Sequence, residues 1–234
     1  MSESESRAVI FANGSLPNLE AVSRLLHPDD TLLAADGGSF HLLALGLLPS
    51  AVIGDLDSLS TADRRRLEAA GVRLLQHPRD KDETDLELAL HYAVEAGHRS
   101  ILVVGALGGR LDQTLGNLSL LADPALEGLE VRLDDGVEEA FFVRGGEAPS
   151  RGANRRIHGC PGEVVSLLPW GAPVEGVTTD GLRWPLRGET LFPHKTRGIS
   201  NELLGETASV TLTSGLLLIV HRRNPRSSNV NPQA

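Results

Sequence analysis

From Arg7 to Val104 the chain alternates between short runs of consecutive apolar residues and longer stretches whose apolar positions recur every three or four residues. Runs of four or five apolar residues bounded by polar residues or glycine suit strands buried on both faces, and the longer spacing suits helices with one face on a core. The strands read this way are Ala8 to Phe11, Thr31 to Ala35, Ala51 to Ile53, Val72 to Leu75 and Ile101 to Val104. Between them, Asn13-Gly14-Ser15 followed by Pro17 predicts a turn into a helix through Leu26, and Ser39 to Leu47 carries Phe40, Leu43 and Leu47 on one helical face. Ser60 with Asp63 three residues on opens a helix to Ala70 that Gly71 ends. Thr84-Asp85-Leu86-Glu87 opens another, with Leu86, Leu90, Ala93 and Val94 on one face, and the loop Gly105 to Arg110 leads into a helix from Leu111 to Leu121. This alternation predicts an α/β fold: a mostly parallel sheet, helices on both faces, right-handed crossovers.

Downstream the pattern changes. Glu130 to Leu133 and Ala140 to Val143 still read as strands, but no helix follows them. The Gly-, Pro- and Ser-rich stretch from Gly145 to Gly152 predicts a domain boundary, with an α/β domain over 1–145 and a second domain over 152–222. The second domain contains the short strand-like runs Val164 to Leu168, Val177 to Thr179, Leu182 to Trp184, Ala208 to Leu212 and Leu216 to Val220, spaced as in a small antiparallel β-sandwich. Residues 223–234, rich in Pro, Ser and Asn, read as a disordered tail.

Composition narrows the function. A net charge of −9 over 234 residues argues against sequence-independent nucleic-acid binding, which needs a positive field, so an anionic substrate requires a metal ion or local arginines. Cys160 is the single cysteine, which excludes an intramolecular disulfide and a thiolate metal site; it reads as structural. Met1 to Arg7 is polar and acidic, unlike a signal peptide, and no apolar run reaches the roughly 20 residues of a membrane span, so a cytoplasmic protein with no membrane partner is expected.

The chemistry centres on Gly54-Asp55-Leu56-Asp57-Ser58. On a still-extended segment Asp55 and Asp57 would project to the same side, and such a pair repels itself unless a cation sits between; hard oxygen ligands of this kind suit Mg²⁺. Other carboxylates also follow strands: Asp36 the second, Asp80, Asp82 and Asp85 the fourth, Asp112 the fifth. In an open parallel sheet those positions share the carboxyl edge, where such folds bind ligands. Singly, Asp85 and Asp112 also read as first-turn residues answering a helix dipole. As a set, the carboxylates point to a metal–phosphate site, beside a glycine-rich loop over Gly105 to Arg110 able to offer N–H groups and a guanidinium to phosphate. His91 reads as a surface or packing residue, and Trp170 and Trp184 as core anchors of the sandwich.

Taken together, Asp36-Gly37-Gly38, Gly54-Asp55-Leu56-Asp57-Ser58, Asp82-Glu83-Thr84-Asp85, Gly108-Gly109-Arg110-Leu111-Asp112-Gln113 and Arg197-Gly198-Ile199-Ser200-Asn201-Glu202 resemble the thiamine pyrophosphokinase family, in order, from roughly Val9 to Val220. The resemblance implies an N-terminal α/β domain for ATP and Mg²⁺, a C-terminal β-sandwich that binds thiamine and dimerises, and a homodimer with active sites between subunits. It implies Asp55, Asp57 and Asp85 as magnesium and catalytic carboxylates, with Asp112 also catalytic. Asp36, Gly37, Thr84, Gly108, Gly109 and Arg110 fall to the nucleotide, and Gln113, Ser200 and Asn201 to the substrate. Gln113 stands where His is common in bacterial members, and Leu88 where Lys is common. The competing readings are a phosphatase or sugar-nucleotide transferase built on Asp55 and Asp57, and a non-enzymatic nucleotide-sensing module. The first is weakened by Ser58 after the second Asp and by the third-strand position of the pair; the second needs no such row of carboxylates.

Overall fold

The structure, a computed structural model, describes residues 7–146 and 154–224. The chain divides between Phe142 and Val143 into two compact units. Of the stretch read as a boundary, 147–152 lies outside the described residues, as does 225–234 of the expected tail. Asn224, at the start of that tail, donates its N–H to Glu163 Oε1 at 3.2 Å.

In the first unit the strands are β1 (Ala8–Phe11), β2 (Thr31–Ala35), β3 (Ala51–Gly54), β4 (Arg73–Gln76), β5 (Ser100–Val104), β6 (Glu130–Asp134) and β7 (Glu138–Arg144), the last of which runs two residues past the division. They lie in the order β7-β6-β5-β1-β2-β3-β4. All neighbours are parallel except β7, which turns back antiparallel to β6. The helices are α1 (Leu19–Ser23), α2 (Ser39–Ala44), α3 (Thr61–Ala69), α4 (Asp85–Glu95) and α5 (Leu111–Leu120). Val9, Phe11, Ala34, Val52 and Leu102 cover one face of the sheet together with Val22 of α1, Leu42 of α2 and Leu67 of α3, all fully or almost fully buried. Residues of opposite pleat, such as Ile10, Leu33 and Ile53, are buried on the other face, where α4 lies across β1, β2 and β3 with Leu86, Ala89, Leu90 and Ala93 inward.

The helix ends follow local chemistry and correct two spans. α1 begins one residue after Asn18, whose side chain accepts the Ala21 N–H at 3.0 Å, so Pro17 precedes the cap, and the helix ends well short of Leu26. α2 stops at Ala44 because Gly46 adopts φ 71° and Leu47 N–H reaches back to Leu42 O at 2.9 Å, a Schellman closure. α3 carries the reciprocal Ser60–Asp63 capping box.

The second unit contains β8 (Asn154–His158), β9 (Val164–Pro169), β10 (Val174–Asp180), β11 (Arg187–Leu191), β12 (Asn201–Glu202), β13 (Thr207–Thr211) and β14 (Leu216–Arg222). β12-β9-β14 form one antiparallel set and β11-β10-β13-β8 a separate antiparallel sheet, giving a β-sandwich. Alternate residues go inward: Val165 and Leu167 on β9, Ala208 and Val210 on β13. β8 and β11 do not show in the sequence because they are the two edges of their sheet, where Ile157 and Leu191 are the buried apolar residues and the rest is polar. Leu182 to Trp184 is not a strand; Leu182 makes one isolated bridge to Leu203. Trp184 is no core anchor, being 46% exposed with the Arg183 guanidinium 5.0 Å above its ring. Cys160 is exposed; its backbone N–H, at 2.9 Å from Glu163 Oε2, is what ties it down. The same carboxylate faces the buried His221 Nε2 at 2.9 Å, so Nε2 is the donor, joining the turn before β9 to β14.

One buried ion pair closes the start of the first sheet. Arg7 donates Nε to Asp30 Oδ1 at 2.8 Å, Nη2 to Asp30 Oδ2 at 2.6 Å and Nη2 to Leu25 O at 2.7 Å, while His27 N–H reaches Asp30 Oδ2 at 2.7 Å. Burial pushes the Asp30 carboxyl up, but the Arg7 fork and the His27 N–H outweigh it and hold it below its usual range. A depressed carboxyl stabilises the fold above its unfolded-state pKa of about 4 and loses that contribution as pH falls through the folded value. Asp30→Asn is therefore expected to lower stability by about 2 kcal/mol at pH 7, with the gap to the parent shrinking below pH ~4. Urea melts of both proteins across pH check it, and a gap that is constant with pH would reject the ionic origin.

Candidate active site

The carboxyl ends of the parallel strands deliver the loops 12–15 after β1, 36–38 after β2, 55–58 after β3, 79–85 after β4 and 105–110 after β5 to one edge. The strand order reverses direction between β1 and β5, the switch point at which an open α/β sheet leaves a crevice. A pocket of ≈ 650 Å³ opens there, walled by Asn13 and Gly14 from β1, Gly105 and Ala106 from β5, and the 79–86 segment.

The carboxylates of Asp36, Asp55 and Asp57 converge, each offering an oxygen within 4.8 Å of the others. The convergence does not come from an extended segment, as expected from the sequence. Leu56 adopts φ 63°, a conformation foreign to a bulky side chain, and is 1% exposed, so the chain turns between the two aspartates and Leu56 drops into the core. Asp57 N–H then bonds Asp55 Oδ1 at 3.0 Å, and Arg64 of α3 holds Leu56 O at 2.5 Å. Asp36 is likewise left-handed, at φ 42°, and almost fully buried.

Asp85 is next to this group by way of Gly54. A Cβ on Gly54 would come 2.8 Å from the Asp85 carboxylate and 3.2 Å from Asp36 Cβ, so only glycine lets the two carboxylates crowd the end of β3. Asp85 Oδ1 lies 2.9 Å from Lys81 Nζ but without hydrogen-bond alignment; it and Asp36 Oδ1 are buried side-chain oxygens with no hydrogen bond. Asp85 Oδ1 faces the Lys81 ammonium, whereas Asp36 Oδ1 is a buried acceptor that is unfavourable unless a cation completes it. The donor set is hard oxygen throughout, which fits Mg²⁺.

The other residues singled out in the sequence fall out differently. Gly108, Gly109, Arg110, Gln113 and Thr84 line the pocket. Thr84 also caps α4 through the Glu87 N–H at 3.2 Å, and Gly37 packs beneath the Asn13 side chain. Gly108 and Gly109 both have φ near 74°, turning the loop into α5, whose first turn has no side-chain cap. Asp112 stands apart from the carboxylate group: Arg110 grips it through Nε at 3.1 Å and Nη2 at 2.6 Å. That forked bond, helped by the Gln113 N–H, holds the exposed Asp112 carboxyl below its usual range and raises the Arg110 guanidinium. Asp80 and Asp82 are exposed and outside the pocket wall. His91 is a surface residue, 3.9 Å from Asp123.

In the second unit Ser200 is exposed at φ 59°, whereas Asn201 is buried and its amide is engaged within the protein. Its Oδ1 accepts from Trp184 N at 3.0 Å and Glu202 N at 2.9 Å, and its Nδ2 donates to Trp184 O at 2.7 Å. The sequence reading missed Asn13, Arg79, Lys81 and Asn117 as pocket residues. Position gave a signal for Asn13, Arg79 and Lys81, since each follows a parallel strand on the same edge as the aspartates.

Comparison with known proteins bears on both units. The thiamin pyrophosphokinase catalytic domain model matches residues 22–133, and the thiamin pyrophosphokinase vitamin B1 binding domain model matches residues 154–217. The chain is 31% identical over 189 residues to a thiamine pyrophosphokinase of Bacillus subtilis (strain 168), covering 80% of this chain and 85% of that one. Among solved structures, thiamine pyrophosphokinase from Bacillus subtilis superposes with a TM-score of 0.81 at 26% identity, over 94% of this chain and 100% of that chain. A thiamin pyrophosphokinase family protein from Enterococcus faecalis gives a TM-score of 0.78 at 26% identity, over the same shares of 94% and 100%. With the motifs in order, the carboxylate-lined switch-point crevice and both domain models matched, this chain belongs to the thiamine pyrophosphokinase family.

Proposed function

We propose that this protein moves the pyrophosphoryl group of ATP onto the hydroxyl of thiamine, giving thiamine diphosphate and AMP. The observation that carries the reading is the convergence of Asp36, Asp55 and Asp57, with Asp85 beside them, at the rim of a pocket whose wall includes Arg79, Lys81 and Arg110. Acidic ligands for a metal next to basic groups for a polyphosphate is the combination pyrophosphoryl transfer needs. Mg²⁺ held by Asp36, Asp55 and Asp57, with Asp85 adjacent, would neutralise charge on the polyphosphate during transfer. The thiamine oxygen bonds to the β-phosphorus, the bond from that phosphorus to the α,β-bridging oxygen breaks, AMP leaves, and a carboxylate takes the hydroxyl proton. The uncapped first turn of α5 and the Gly108–Gly109 turn suit phosphate oxygens.

Arg110, gripped by Asp112, becomes a phosphate ligand by exchanging one forked anion for another. For thiamine, the match to a vitamin B1 binding domain favours the second unit. There the exposed Ser200 and the half-exposed Trp184 face solvent, and Asn201 acts by holding Trp184 rather than by touching substrate. A homodimer in the cytoplasm completes the reading, on the resemblance to the family; among the described residues no helix is long and apolar enough to cross a membrane.

Incubating the purified protein with ATP, Mg²⁺ and thiamine is expected to yield AMP and thiamine diphosphate in equal amounts, both abolished by a chelator. Release of ADP or orthophosphate instead would assign it to another phosphotransferase or phosphatase class. Asp55→Asn and Asp57→Asn are each expected to lower the rate about a hundredfold or more, a barrier increase of about 2.7 kcal/mol. Asp85→Asn should do the same while shifting stability by no more than about 1 kcal/mol, the range of a helix-dipole contribution. Steady-state rates beside melting curves separate the cases, and a folded, fully active Asp85→Asn protein would reduce Asp85 to a helix-cap residue. Sedimentation velocity is expected to give twice the monomer mass, and an active monomer would discard the dimer.

A further inference from the structure

Three cationic side chains line the pocket, and they are not equivalent. Arg79 lies 3.5 Å from Asp57 and is 80% exposed, and Arg110 is in solvent with Asp112. Lys81 alone is withdrawn: its side chain is 12% exposed and its Nζ sits 2.9 Å from Asp85 Oδ1. The helix does not explain this placement, because Lys81 precedes the N-terminus of α4, where a positive charge opposes the helix dipole. Nor does hydrogen bonding, since Asp85 Oδ1 has none despite the short contact. What remains is charge. Asp85 is pressed against Gly54 beside Asp36, so the ammonium lies at the edge of a crowd of mutually repelling carboxylates whose other cationic neighbour, Arg79 at Asp57, is in solvent and screened.

We propose that Lys81 is the resident counter-cation of this group. It makes capture of a free divalent ion weak until a nucleoside triphosphate draws the ammonium away. The inference rests on the phosphotransfer reading above. A divalent cation entering the group meets the ammonium as a like charge. A polyphosphate in the same pocket offers Nζ new anionic partners, which the flexible lysine stem can reach without moving the backbone. Nucleotide therefore tightens metal binding, and by reciprocity metal tightens nucleotide binding. Lys81 is a positioning residue: it acts through Asp85 and on the occupancy of the site.

The test is binding of Mn²⁺ to the full chain, read from the free-ion electron paramagnetic resonance signal, with and without α,β-methylene ATP, whose α–β link resists transfer. In the parent protein the analogue is expected to tighten Mn²⁺ about fivefold or more. Lys81→Met should bind Mn²⁺ alone more tightly than the parent and lose most of the enhancement; Lys81→Arg, which keeps the charge, should retain it. Lys81→Gln removes the charge with a polar side chain and replaces the Met variant if circular dichroism shows that variant misfolded. Neutral variants that bind Mn²⁺ alone no more tightly than the parent, or that keep the full enhancement, would overturn the proposal. AMP formation by the same parent preparation separates the two failures. An active parent with these negative results discards the role of Lys81 alone, whereas a parent that neither binds Mn²⁺ nor forms AMP discards the phosphotransfer reading with it.

Discussion

Mutual repulsion among carboxylates is the constraint around which the first unit is built. Two unit charges at 4.8 Å, the limit within which the Asp36, Asp55 and Asp57 oxygens gather, repel by about 3–4 kcal/mol at an effective dielectric of about 20. That is a large fraction of the net stability of an ordinary domain. The fold opposes it with backbone rather than with counter-charges alone. Gly54 admits Asp85 and Asp36 at the end of β3, and Leu56 is fixed in a left-handed turn by its own burial and by Arg64. Among the described residues of this unit, both non-glycine left-handed residues, Asp36 and Leu56, belong to this short edge, so conformational strain and electrostatic strain are stored together.

The sheet makes such an arrangement tolerable. β1 and β3 are buried along their whole length, from Ala8 to Phe11 and from Ala51 to Gly54, β2 is buried from Leu33 to Ala35, and α4 covers one face across them. The strand ends are therefore rigid supports, and the loops leaving them inherit that rigidity. The direction change between β1 and β5 then decides where the space lies. The converging acids come from the β2 and β3 side of the crevice, while the basic and glycine-rich elements come from the ends of β4 and β5.

The second unit relies on different physics. Its strands alternate buried and polar positions, and its specificity comes from particular buried hydrogen bonds. Glu163 gathers the Cys160 N–H, the His221 ring and the Asn224 N–H on one carboxylate. Asn201 does the same for the loop that carries Trp184. A buried amide with these donors and acceptors engaged is a structural device, and its result is an aromatic ring left in solvent under an arginine.

The sequence alone determined the parallel half of the protein, because strands buried on both faces are runs of apolar residues and the helices between them carry their own caps, as Ser60, Asp63 and Thr84 do. It also determined which carboxylates could meet, since every loop after a parallel strand shares one edge, and the ordered motifs indicated the family. It did not reveal β8 and β11, edge strands with polar faces, nor the shortened α1, whose end depends on which residue caps it. Only the tertiary structure decided that Asp36 joins Asp55 and Asp57, that Asp112 turns to Arg110, that Asn201 faces inward and Trp184 outward, and that Lys81 lies against Asp85. The carboxylate convergence depends on left-handed backbone angles and on loops remote in the chain, and the Asn201–Trp184 contact likewise joins separate segments; Arg110–Asp112 and Lys81–Asp85 are near in sequence, but their contacts depend on loop conformations that local spacing does not encode.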